Sequence, residues 1–185
     1  DHKEGLEWLD AHRPNQRRFV LFLGSSIGNY DLPHAKSFLA DISKRLRSGD
    51  QMLIGFDLKK DPNVLQLAYS DPYGVTANFN YNLLERINRE LDANFDLAQF
   101  HHQAFYNPKL GTMESWLLSK REQSVYISKL NLKVCFDEYE GIHTEYSFKY
   151  TPALIRNIAL ESGWRLRETF TDEREYFMDA IYSIP

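Results

Sequence analysis

Two groups of side chains in this chain have the types and spacing to handle a small polar ligand. The first centres on Asn29, which follows Gly24-Ser25-Ser26-Ile27-Gly28. Its amide offers an acceptor and two donors, and the two glycines let the backbone turn sharply and come close to a ligand. The second is Glu145 with Ser147. Two positions apart on a strand, they share a face, where a carboxylate and a hydroxyl could address two nitrogens of one ring. Each has a plainer reading. Asn is a favoured helix cap, and Glu is commonest on surfaces. Tyr69 could be a packed aromatic with a wet hydroxyl. Asp57 ends an apolar run, where ligands bind in parallel sheets, but Asp also forms turns, and that reading is preferred. His101, His102 and His143 have no Cys or carboxylate at ligand spacing, so no metal is expected. Cys135 is expected in the core.

These residues need a scaffold, and the apolar pattern supplies one. Phe19 to Leu23 is a continuous apolar run, as expected of a strand covered on both faces of a parallel α/β sheet. It empties into the glycine turn. A helix is predicted from about Leu32 to Arg47, capped by Asp31 with Pro33 in its first turn. Gln51 to Phe56 reads as a second buried strand, followed by helices over Pro62 to Ser70 and Asn80 to Leu91. From about Phe100 the pattern changes. Ser115 to Lys120, Ser124 to Leu130, Leu132 to Phe136 and Thr144 to Tyr150 read as short antiparallel strands. Thr151-Pro152 then opens a helix, and Trp164 to Phe170 with Tyr176 to Ile184 closes the chain as a strand pair. This order resembles the C-terminal portion of a Rossmann-like class I methyltransferase fold, an α/β class, carrying a β-rich insertion. The expected segments are 1–99 (second half of the core), 100–150 (β-rich substrate-recognition insertion) and 151–185 (return to the core).

Composition sets outer bounds. The 185 residues carry a formal net charge of −4, with 43% hydrophobic and 14% aromatic residues. That allows a real core and gives no electrostatic footprint for nucleic acid or an anionic membrane. No apolar stretch approaches the roughly 20 residues of a membrane span. A single cysteine excludes an internal disulfide and favours a reducing, cytoplasmic setting. The abrupt polar start at Asp1, with no initiator Met, suggests a fragment of a longer protein.

The sequence from Leu23 to Tyr30 resembles one family, the histidine-specific methyltransferases that make hercynine in ergothioneine biosynthesis. Fungal N-methyltransferases acting on a prenylated tryptophan are related. The likeness runs on through Gly55-Phe56-Asp57-Leu58-Lys59-Lys60-Asp61, Ala68-Tyr69, Gly74-Val75-Thr76-Ala77, Phe79-Asn80 and Thr144-Glu145-Tyr146-Ser147. It implies an S-adenosylmethionine cofactor and a small amino-acid substrate. It also implies roles: Asn29 and Tyr69 on the α-amino and α-carboxylate end, Gly24 through its backbone, Glu145 and Ser147 on the imidazole. Asn29, which holds the amine, is the catalytic position. Asp1 matches an acidic residue near the cofactor adenine. The family's glycine-rich cofactor loop, ribose-binding acid and N-terminal substrate tyrosine have no counterpart, so this segment alone is expected to bind cofactor weakly. Ser115 stands where the family has a methionine lining the substrate pocket. The competing readings are an indole amino acid as substrate, or a non-catalytic amino-acid-binding domain.

Overall fold

The computed structural model describes residues 2–13 and 15–185. Asp1, assigned above to the cofactor, lies outside the described residues. The chain divides into two units, residues 1–59 with 147–185, and residues 60–146. Helices α3 (Pro62–Tyr69) and α4 (Val75–Leu91), read above with the core, group instead with the β-rich segment.

The first unit is built on a four-stranded sheet in the order β1 (Phe19–Phe22), β2 (Gln51–Asp57), β9 (Phe177–Ser183), β8 (Arg165–Thr171). β1 and β2 are parallel, and β9 runs antiparallel to both β2 and β8. A terminal hairpin thus sets one reversed strand inside an otherwise parallel sheet. Helices α1 (His2–His12), α2 (Leu32–Ser43) and α5 (Pro152–Glu161) supply Leu6, Leu39, Ile42, Ile155 and Ile158 to the core. These join Met52, Ile54, Phe56, Ala180 and Tyr182 from the strands. Two buried aromatics satisfy their polar tips as burial requires: Trp164 Nε1 donates to Leu39 O at 2.9 Å, and the Tyr182 hydroxyl to Ile155 O at 2.7 Å.

Local signals account for the ends of these elements. The Asp31 carboxylate accepts from His34 N at 2.9 Å and caps α2, and Thr151 caps α5 in the same way. One expectation fails. β1 is not covered on both faces: Val20 and Phe22 pack on the core, while Phe19, Leu21 and Leu23 are each about half exposed. Alternation turns Phe19 and Leu21 to the face opposite Val20 and Phe22, and β1 is also the edge strand of the described sheet.

The second unit carries a three-stranded sheet, β3 (Phe100–Asn107), β4 (Thr112–Ser119) and β7 (Gly141–Phe148), whose last two residues belong to the first unit. It also holds a hairpin of β5 (Gln123–Ile127) and β6 (Leu132–Phe136). Leu84 of α4 packs with Phe100 and Leu117, and Leu65 of α3 with Ala104 and Met113. Cys135 is exposed, not core, because alternation along β6 turns Phe136 inward and leaves Cys135 facing out. Among the described residues, no helix is long and apolar enough to cross a membrane, and no group of three His, Cys, Asp or Glu is placed to hold a metal.

Candidate functional site

The turn after β1 is folded by its glycines and a serine. Gly24 sits at φ +73° and Ser25 at φ 57°, both left-handed. Residues 26–29 then form one short 3₁₀ turn, closed by Gly28 N donating to Ser25 O at 2.8 Å. Ile27 is fully buried and anchors the turn, so the loop has a fixed base and an exposed rim. Asn29 lies on that rim, exposed. It does not cap α2, because Asp31 does, and the plainer reading of Asn29 falls away.

Two bonds hold this loop to the carboxyl end of β2 and to the segment that leaves β7, and a third joins those two to each other. The Asp57 N–H donates to Ser25 Oγ at 2.9 Å. The Tyr150 hydroxyl donates to Ile27 O at 3.1 Å, and its burial pushes the phenol pKa upward. Tyr150 N donates to Asp57 O at 2.9 Å. Gly28 lies so close to this segment that a Cβ there would be 3.0 Å from Phe148 O.

Beneath the loop is an ion pair that the sequence did not announce. Lys149 Nζ lies 2.7 Å from Asp57 Oδ2 and 2.8 Å from Ser147 Oγ. The lysine side chain is wholly buried. Asp57 is therefore more than a turn former: its backbone holds the amide-bearing loop, and its carboxylate holds the lysine on Ser147. The available sequence signal was the i, i+2 spacing of Ser147 and Lys149, which puts both on one face.

The expected site residues divide between the units. Gly24, Asn29 and Ser147 fall in the first, where the contacts above join the loop of residues 24–29 to residues 147–150. Tyr69 and Glu145 fall in the second. Tyr69 ends α3, half-buried against the Leu65, Ala104 and Met113 cluster. Glu145 is half-buried on β7. Its neighbour Thr144 donates to Ser115 O at 3.0 Å and meets Asn80 Oδ1 at 2.5 Å. Ser115 itself is buried with an unpartnered hydroxyl, as are the Nε2 atoms of His102 and His143. Burial pushes the His102 pKa below its ordinary value, helped by His101 and partly opposed by Asp71. A cavity of about 390 Å³ lies elsewhere in the first unit, lined by Leu6, Leu9, Arg18, Phe19 and Ile42. It sits at the amino end of β1, the wrong end for ligands of a parallel sheet.

The chain is similar to known proteins. The family model described as "Histidine-specific methyltransferase, SAM-dependent" matches residues 1–184. A histidine N-alpha-methyltransferase of Mycolicibacterium smegmatis is 42% identical over 156 residues, covering 84% of this chain and 49% of that protein. Ergothioneine biosynthesis protein 1 of Schizosaccharomyces pombe is 39% identical over 164 residues, 87% of this chain and 21% of that protein. The chain thus spans about half the length of the first relative and less of the second. Among solved structures, the CcbJ methyltransferase of Streptomyces caelestis aligns at TM-score 0.47 and 9% identity over 92% of this chain and 59% of that one.

Proposed function

The chain belongs to the histidine-specific, SAM-dependent methyltransferase family, and from that premise we propose that its full-length protein methylates the α-amino group of L-histidine, up to the trimethylated product hercynine. The observation that carries this reading is the fixed loop of residues 24–29. It presents the Asn29 amide, free of any capping duty, at the carboxyl end of the sheet. By motif, Tyr69 shares the amino-acid end of the substrate with Asn29, Gly24 adds a backbone contact, and Glu145 and Ser147 take the ring.

When bound, S-adenosylmethionine supplies a methyl group on a positively charged sulfur. The residues here fit one side of such a ligand. Gly24 is exposed at the strand end, and a Cβ there would meet nothing within 4 Å, so the backbone is open to close approach. Gly24 and the half-exposed Leu23 would form this chain's part of the wall.

The protein's task is chiefly alignment. Transfer to an amine is an in-line displacement that needs an unprotonated nitrogen lone pair, and positioning is worth up to about 7–11 kcal/mol in favourable cases. A free α-amine titrates at about 7.7–8.0, so modest desolvation makes the reactive form available. Asn29 suits this because its amide orients the amine without adding charge. A carboxylate there would hold the ammonium form and block reaction. On this reading the protein works in the cytoplasm on a small-molecule amino acid, in keeping with its single exposed cysteine.

One observation favours a second substrate. Ser115 stands by motif where the family has a larger methionine, and its buried hydroxyl is unpartnered, a change that would suit a larger ring such as indole. Incubating full-length protein with S-adenosylmethionine and either amino acid separates the two. Mass spectrometry should show histidine products heavier by one to three methyl groups. Reaction with tryptophan derivatives and none with histidine would overturn the histidine reading.

A further inference from the structure

We propose that the cavity between α5 and the edge strand β8 is a binding site for a small phosphomonoester. The inference goes beyond the methyl-transfer reading and does not rest on it. None of the site residues assigned above lines this cavity.

The cavity measures about 370 Å³ and lies wholly within the first unit. That volume falls in the range of small-molecule sites, roughly 300–1,000 Å³. β8 closes the sheet at the edge opposite β1, so this cavity and the Asn29 loop belong to opposite edges. One wall comes from α5, where Pro152, Arg156 and Leu160 recur every four residues and form a single stripe. The other wall comes from β8, and a bulge shapes it. The register of β8 against β9 slips between Leu166 and Glu168, with Arg167 as the extra residue. Leu166 pairs with Tyr182 and Thr169 with Ala180, so both fall on the core face although they are three apart. An extra residue of this kind re-aims the side chains beside it. Here it brings Arg167 to the same cavity as Leu166 and Thr169.

Arg156, Arg165 and Arg167 all line this cavity, and all three are exposed. Among the described residues, none of their guanidiniums has an ion pair or hydrogen bond. Other arginines of the unit are paired: Arg18 with Asp10 and Arg45 with Glu7, each at 2.7 Å. Glu168 is the one carboxylate lining the cavity, so the site holds two positive charges in excess. It does so on a chain whose formal net charge is −4. Like charges gathered without partners repel one another, and a bound anion relieves this. A phosphomonoester carries about −1.5 to −2 charges near pH 7 and three acceptor oxygens. Planar guanidinium forks bind such a group through paired N–H donors, whereas a monoanion answers only part of the excess. Leu160 on the rim, half-buried Leu166 and buried Met178 offer an apolar wall to the organic part of the ligand.

The test is calorimetric titration of the full-length protein with phenyl phosphate, and with benzenesulfonate as a monoanion of similar shape. Wild type should bind phenyl phosphate with a Kd below about 1 mM and benzenesulfonate about 10-fold more weakly. Arg156→Gln and Arg167→Gln should each weaken phenyl phosphate about 10-fold, the low end for hydrogen bonds to a charged group. The double variant should weaken it about 30- to 100-fold. Glu168→Gln removes the opposing charge and should tighten binding about 3-fold. Arg45→Gln is the control. It removes the same charge beside the opposite sheet edge, where the Arg45 carbonyl accepts from Arg18, and should change the affinity less than about 2-fold. The substituted arginines of the cavity are exposed and unpaired, so these variants keep the fold, which urea midpoints verify. A wild-type Kd above about 1 mM, a double variant with wild-type affinity, or benzenesulfonate bound as tightly as phenyl phosphate each overturns the proposal. Arg45→Gln as damaging as the double variant would trace binding to overall charge and overturn it as well.

Discussion

Adding one methyl group at Gly28 should disturb the loop and the Ser147 segment together. A Cβ there lands 3.0 Å from the backbone oxygen of Phe148 and 3.5 Å from its nitrogen. A backbone atom cannot swing aside as a side-chain tip can. The two segments must part by roughly 0.4 Å to reach the 3.4 Å at which ordinary contact begins. Overpacking of this kind costs about 1–3 kcal/mol. Misplacement of about 1 Å in an active site can cost roughly a hundredfold in rate, so a shift of this size at Asn29 should lower kcat/KM about 5- to 10-fold. The assay pairs urea denaturation with methylation kinetics on the full-length protein. Gly24→Ala is the control: its Cβ meets nothing within 4 Å, but φ +73° costs a non-glycine residue about 1–2 kcal/mol. A Gly28→Ala protein with wild-type midpoint and turnover would refute the close approach of the two segments.

Glu145→Ala should weaken histidine about 10- to 150-fold, as loss of a charged hydrogen bond does. Asn29→Ala should lower kcat more than it raises KM, since it misaligns the amine at transfer. An unchanged KM for Glu145→Ala returns that residue to the surface reading. The His102 pKa is depressed by burial, so the folded state binds fewer protons than the unfolded chain below about pH 6.5. Stability should therefore be full above that pH and fall as pH drops toward the folded value. His102→Gln should flatten the fall between pH 7 and about 5.5 in urea midpoints; an unchanged slope would count against the burial. Tyr182→Phe should cost about 1–3 kcal/mol by leaving the buried Ile155 carbonyl without its 2.7 Å donor; a neutral result in the same assay would argue that another group answers that oxygen.

Elements with local punctuation were legible in the sequence. Asp31 and Pro33 mark the start of α2, Thr151 and Pro152 that of α5, and the two glycines mark the loop. What depends on distant partners was not. β3 went unread because its residues Phe100 to Asn107 mix histidine, glutamine and aromatics, and they become a strand only by pairing with Thr112 to Ser119. The edge position of β1 is likewise set by pairing and not by the composition of the run. Lys149 was invisible for a different reason: a lysine on a strand reads as surface, and the carboxylate that pairs with it here lies 92 positions away. Cys135 shows the converse, a residue type that favours interiors turned outward by strand alternation.

The backbone bond from Lys59 N to Tyr150 O, 2.8 Å long, brings together two points of the first unit that flank all of residues 60–146. A segment whose ends meet in this way behaves as a graft, because its host needs only that the ends stay adjacent. Evolution can then lengthen, shorten or exchange the inserted unit at little cost to the sheet that carries Asn29. Under the proposed function, changes within the graft would alter the ring contact assigned to Glu145 while the loop bearing Asn29 stays as it is.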